Sequence, residues 1–217
     1  MYKKLLLVVL SVITLQTVKA QTEKGSQNLG FSFGISTQNS KIQTFNSQTN
    51  MYSYQSDGKQ TSFNIGPSYS YFIADKLDLG AAVNYGYYNQ NYVPSFNSQS
   101  KQTSKTYGAS IFLRKYFLYN NKVGIRTGTY FSYAKTKQTY VYEPSINNTD
   151  DEIKEFGAGI NLDFVYYPAK NIGLAAGLAN LGYYHNKFTG SQLSTSNNFN
   201  LSLVNELRLS IYYVFGK

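Results

Sequence analysis

From Leu29 onward the chain alternates. Leu29, Phe31, Phe33 and Ile35 occupy every second position, with Gly30, Ser32 and Gly34 between them. The last stretch repeats the pattern. Leu201, Leu203, Leu207, Leu209, Ile211, Tyr213 and Phe215 share one parity, and Ser202, Glu206, Arg208 and Ser210 fall on the other. Side chains of an extended strand point alternately to its two faces, so these segments read as ribbons with one apolar face and one polar or small face. Beyond the first twenty residues no stretch sustains a 3.6-residue period, and no helix is predicted there.

Short polar breaks at Asp75-Lys76, Asn120-Asn121-Lys122 and Ala169-Lys170-Asn171 read as tight turns. They fall at intervals of about 46 to 48 residues, a repeat at the level of architecture. Each repeat holds two strands joined by a longer loop rich in Ser, Asn, Gln, Thr and Lys. These loops centre near 44–60, 93–104, 143–154 and 188–198. The predicted strands are 28–44, 61–74, 77–92, 104–119, 123–142, 154–168, 172–188 and 199–215. The seventh changes parity after Gly173-Leu174-Ala175-Ala176-Gly177, which predicts a bulge. Ten strands remain an alternative if residues 45–60 form a further hairpin.

The N-terminus has a different grammar. Lys3 and Lys4 precede the apolar run Leu5–Leu15, and Val18-Lys19-Ala20 forms a cleavage site, so residues 1–20 read as a secretory signal. The apolar run is about eleven residues, short of the roughly twenty that a spanning helix needs. Residues 21–27 are then expected as a short periplasmic segment and 28–217 as one barrel domain. An exported chain with no helical span either stays soluble or enters the outer membrane as a closed barrel.

Composition and layout choose between these. The chain has 22 Tyr, 14 Phe and 17 Gly, and only 14% of its residues are charged. Aromatic clusters precede each tight turn and the C-terminus: Tyr69-Tyr71-Phe72, Tyr116-Phe117-Tyr119, Phe164-Tyr166-Tyr167 and Tyr212-Tyr213-Phe215. They predict an interfacial girdle that includes Tyr71, Phe117, Tyr119, Tyr166, Tyr213 and Phe215. A second band is expected from Tyr85, Tyr87, Phe131, Tyr133, Phe156, Tyr183 and Tyr184. The polar parity is rich in glycine, which suits the narrow interior of an eight-stranded barrel and would only weaken a solvent-facing surface. Connections are short at one end and long at the other, as in outer-membrane barrels. The expected fold is all-β, an eight-stranded antiparallel up-and-down transmembrane β-barrel with its apolar face toward lipid.

The signal sequence, the four hairpins and the closing Leu207–Phe215 strand resemble the small outer-membrane β-barrel domain proteins of diderm bacteria, of the OmpX and OmpA type. The resemblance spans residues 28–217 and rests on pattern. It implies residence in the outer membrane and recognition of the C-terminal strand by the outer-membrane assembly machinery, although here Gly216-Lys217 follow the terminal aromatic.

Candidate chemistry is sparse. With no cysteine, disulfides, Cys-ligated zinc, a thiol nucleophile and lipidation at cysteine are all excluded. Arg114, Arg126, Asp163, Glu206 and Arg208 fall on the polar parity. They are expected to meet in the lumen, with Arg114 and Arg126 facing Asp163 and Glu206, against the alternative that they merely fill space as solvated side chains. His185, the one histidine, reads as a rim residue. An outer-membrane lipid-modifying enzyme using His185 is an alternative that lacks a visible orienting partner. Asp150-Asp151-Glu152 lacks the ligand spacing of a calcium loop. No catalytic, cofactor or metal site is predicted. Removing Lys3, Lys4 and Lys19 leaves 17 basic against 11 acidic residues, a net +6. The lysines Lys41, Lys59, Lys101, Lys105, Lys135, Lys137 and Lys187 read as scattered among loops. They suggest contact with membrane lipid and lipopolysaccharide; no nucleic-acid motif accompanies them, and no extracellular partner is specified. The expected role is structural or surface-interacting, with a narrow pore for small solutes as the alternative.

Overall fold

The computed structural model describes residues 22–46, 51–94, 99–143, 149–190, 193–203 and 209–216. The signal segment therefore lies outside the described residues. The strands are β1 (Gln27–Asn46), β2 (Met51–Ala74), β3 (Leu77–Pro94), β4 (Gln99–Tyr119), β5 (Val123–Glu143), β6 (Thr149–Ala169), β7 (Ile172–Thr189), β8 (Ser194–Leu203) and β9 (Leu209–Phe215). Each pairs antiparallel with its sequence neighbour from β1 to β7, and β9 joins β7 to β1. The sheet thus closes into a hydrogen-bonded ring of eight. β8 pairs with β7 on the loop side of β9. The predicted strand 199–215 corresponds to β8 and β9 together, and its residues 204–208 lie outside the described residues.

The tight turns sit where the polar breaks fall. Ala74 faces Leu77, Tyr119 faces Val123 and Ala169 faces Ile172 across them. Lys76, Asn120 and Asn121 take positive φ of 59°, 47° and 53°. Such left-handed turn geometry matches the twist of the flanking strands, and asparagine tolerates it better than most residues. The bulge in β7 is at Leu178, because Leu162 faces Ala179 whereas Asp163 faces Gly177.

The long loops are much shorter than the sequence suggests. β1 and β2 stay paired out to Asn46 and Met51, and β4 and β5 out to Gln99 and Glu143. Ser, Thr, Gln and Asn dominate these extensions, and their polarity on both faces hides the period-two signal. Within 45–60, residues 45–46 and 51–60 prolong the first hairpin and add no strand to the ring; 47–50 lie outside the described residues.

Polarity is inverted relative to a water-soluble barrel. Leu29, Phe31, Phe33, Ile35, Leu79, Val83, Ile111, Phe131, Ile160 and Ile211 are exposed on the outer face. The positions between them turn inward and carry Gly, Ser, Asn, Arg and Asp. The lumen also holds a tight apolar cluster of Phe72, Tyr116, Val165, Tyr167, Ala175, Tyr212 and Val214 near the tight turns.

Candidate functional site

The lumen is filled in layers, starting at the turn end. Its floor is built by a repeated device. The backbone N–H of Phe72, Tyr116, Tyr167 and Val214 donates to the carbonyl of Ser26, Lys76, Lys122 and Asn171 respectively, at 2.7–2.9 Å. Each acceptor lies in the turn or terminal segment beside the donor's strand. Four inward side chains are thereby held at one level. The N-terminal segment also docks here, through Lys76 N–H to the Thr22 carbonyl (2.7 Å) and Lys24 N–H to Asp75 Oδ1 (2.9 Å).

A charged layer lies directly above. Register places Asp78 opposite Arg114 and Asp163 opposite Arg126. Arg114 grips Asp78 through Nε (3.0 Å) and Nη2 (2.5 Å). Ser70 Oγ and the Tyr116 hydroxyl also donate to Asp78 Oδ2, at 2.7 and 3.1 Å. Arg126 donates to Asp163 (2.7 Å) and to the Tyr212 hydroxyl (2.6 Å), and reaches the Tyr116 hydroxyl at 3.4 Å. Tyr116 thus links both ion pairs into one network spanning six strands. The Arg114 guanidinium lies 3.9 Å from the Phe112 ring centroid, and that of Arg126 lies 4.7 Å from Tyr212's. These are the close cation–π arrangements that a flat guanidinium permits.

Desolvated charge survives only when it is paired and hydrogen-bonded. Among the described residues, two guanidinium and two carboxylate groups make this layer formally neutral. Asp78 is 0% exposed and its carboxylate accepts four hydrogen bonds. Arg114 and Arg126 are buried with it, and Asp163 is part-buried. Asp78 was absent from the sequence expectation, which gave Arg114 to Asp163 or Glu206. Glu206 and Arg208 lie outside the described residues. Asp78 did carry a signal: it is an acidic residue on the inward parity, two residues beyond the first tight turn.

A neutral layer follows. Tyr130 and Tyr184 share a hydroxyl–hydroxyl hydrogen bond of 2.7 Å, and the Asn180 amide reaches Tyr130 (2.9 Å) and Asn161 (2.5 Å). Higher still, Glu155, Tyr184, Asn198 and Asn200 line an open cleft of ≈400 Å³.

The aromatic girdle needs correction. Adjacent residues on a strand face opposite sides, so each pre-turn cluster is split. Tyr71, Phe117, Tyr119 and Tyr166 face outward and are exposed, with Tyr213 and Phe215 half-buried on the same side and stacked at 6.1 Å. Phe72, Tyr116, Tyr167 and Tyr212 form the interior plug instead. In the second band Tyr184 points inward. Phe63, Tyr85 and Tyr107 make a tilted outer chain with centroids 6.0 and 5.2 Å apart, and Tyr133 lies 5.0 Å from Phe156.

His185 is on the outer face of β7, and its Nδ1 lies 2.8 Å from Asn197 Oδ1. Among the described residues no carboxylate is hydrogen-bonded to it. Ser194 pairs one rung beyond Lys187, opposite Phe188. Ser191 lies outside the described residues. Asp150 accepts from Thr139 (2.8 Å), and Glu152 pairs with Lys135 (2.7 Å) and Lys154 (3.4 Å). The Lys135 hydrogen bond holds the Glu152 carboxyl below its ordinary value of 4.5. Among the described residues no group of three or more His, Asp or Glu side chains is arranged to hold a metal. Lys59, Lys101, Lys105, Lys135, Lys137 and Lys187 are in strands, not loops; the side chain of Lys41 lies outside the described residues.

An outward apolar band edged by aromatic rows, around a polar and filled interior, defines an integral transmembrane β-barrel. No protein-family model matches the chain, and no curated protein sequence does. Solved structures with a similar fold include Neisserial surface protein A, at 17% identity over 88% of this chain and 98% of that one (TM-score 0.43). Others are OprG of Pseudomonas aeruginosa, at 12% identity over 92% and 100% (0.46), and Ail, the attachment invasion locus protein of Yersinia pestis, at 13% over 88% and 99% (0.40). These are small outer-membrane β-barrels. The likeness concerns the arrangement of strands alone.

Proposed function

We propose that this chain is an integral outer-membrane protein of a diderm bacterium, non-enzymatic and non-conducting, whose barrel holds a tall polar sheet above the membrane as an interaction surface. Tight turns and the N-terminal segment face the periplasm, and the strand extensions face outward. Export through residues 1–20, with cleavage near Ala20, and insertion by the assembly machinery complete the reading. The single observation that carries it is the plug. Phe72 and Tyr167 close the floor, and the Asp78–Arg114–Tyr116–Arg126–Asp163 network closes the layer above. An eight-stranded lumen is only wide enough for its own side chains, and among the described residues this layer fills it. Among the described residues the site offers no activated nucleophile, since each carboxylate is paired with an arginine and His185 faces outward. Purified protein in planar bilayers is expected to show no stepwise conductance; steady, discrete current steps would overturn the proposal.

A further inference from the structure

We propose that the outer face of β4–β7, immediately above its aromatic row, binds the phosphate groups of an anionic glycolipid of the outer leaflet. The inference rests on the outer-membrane reading above. Five lysines and one glutamate occupy adjacent positions on this face. Lys135, Lys154 and Lys187 are direct cross-strand neighbours on one rung, and Lys105, Lys137 and Glu152 on the next. Side chains directly opposite one another on antiparallel strands approach within about 5 Å, and like charges so placed repel. Three such like-charged contacts recur here: Lys105–Lys137, Lys135–Lys154 and Lys154–Lys187.

Glu152 answers part of that repulsion by pairing with Lys135 and Lys154. Among the described residues Lys105, Lys137 and Lys187 enter no ion pair, and all three are exposed. The surface is therefore unbalanced by several positive charges within two rungs. A polyanion presenting closely spaced phosphates complements it.

Depth selects the source of those phosphates. Lys135 lies twelve positions along β5 from Val123, and Lys154 twelve along β6 from Tyr166, residues that mark the turn end. At about 3.4 Å per residue and a tilt of about 40°, that is roughly 31 Å of height. The apolar band of such barrels is about 25 Å tall. The lysines thus stand at headgroup level, one rung above Tyr133, Phe156 and His185. Soluble anions would need no such placement.

The test uses the full chain in zwitterionic detergent with purified lipopolysaccharide, scoring retained lipid by gel filtration and phosphate analysis. Each lysine near an anionic surface contributes about fivefold in affinity, so K105Q/K137Q/K187Q is expected to lose on the order of a hundredfold. E152Q removes the carboxylate of these two rungs, leaving Asp150 one rung further on, and is expected to bind several-fold more tightly. Enzymatically dephosphorylated lipopolysaccharide is expected to bind wild type as weakly as the intact lipid binds the triple variant. Equal retention by wild type and triple variant, or no loss on dephosphorylation, overturns the inference. If the triple variant does not fold, E152Q decides, and an unchanged affinity there overturns it. Insertion into phosphatidylcholine vesicles separates the two readings. A wild-type barrel that inserts without charge-dependent retention sinks this inference alone, whereas one that does not insert sinks the membrane reading beneath it.

Discussion

Four hydrogen bonds converge on the Asp78 carboxylate, two from Arg114, one from Ser70 and one from Tyr116. Removing one member of such a buried pair strands the other, at a cost of about 3–5 kcal/mol, whereas removing both costs much less. R114M and D78N are each expected to destabilise the barrel by that order, and the double variant by clearly less than their sum. Urea unfolding in lipid vesicles measures this, and strict additivity would show that the pair is uncoupled. The parity of Arg114, Arg126 and Asp163 was readable in the sequence, and parity is enough to place a charge in the lumen. Which carboxylate meets which arginine was not readable. That depends on the stagger between strands as the sheet closes, and the stagger is a property of the ring, not of any one strand. Strict parity would also have divided Tyr116 from Phe117 and Tyr166 from Tyr167, sending one of each pair inward.

Strands make room for the plug by giving up side chains beside it. Tyr212 on β9 faces Gly30 on β1 and Gly173 on β7. A Cβ at Gly30 would lie 2.5 Å from the Tyr212 ring and 2.5 Å from Ser68 Oγ. A Cβ at Gly173 would lie 2.6 Å from the Tyr167 ring. Two glycines, on the strands that flank β9, therefore accommodate two inward tyrosines. G30A is expected to cost about 1–3 kcal/mol through overpacking. Y212S should recover much of that loss in the double variant, because the obstructing ring is gone. Unfolding midpoints of the four proteins check this, and an unperturbed G30A would mean that the ring has room to move. At this scale the hairpins, the three tight turns and the Leu178 bulge were legible, since each leaves a local mark: a polar break or a change of parity. The height of the strands above the membrane was not. Extensions such as Gln102–Thr106 and Thr136–Gln138 are polar on both faces, so the hydrogen-bonded ladder continues where alternation stops.

In the whole molecule two curvatures of polarity coexist, lipid outside and ion pairs within, and the interior is what decides whether water crosses. The ring of eight leaves a lumen that side chains alone can close, and here the closure is concentrated in the floor and the charged layer near the tight turns. If those side chains are the barrier, removing them should create a conduit whose selectivity follows from the charges left behind. R126A combined with Y116A and Y212A deletes the centre of the network, leaving Asp78, Arg114 and Asp163 in the wall, a net charge of −1 among the described residues. Steady, cation-preferring conductance is expected from this variant in planar bilayers, against none expected from the wild type. The variant's β-sheet circular dichroism and its insertion into vesicles are read alongside. A folded, inserted triple variant that stays silent would place the barrier higher, at the Tyr130–Tyr184–Asn180 layer. An anion-preferring current would mean that Asp78 and Asp163 do not line the opened path. Either result would separate the plug's role in holding strands together from its role in excluding water.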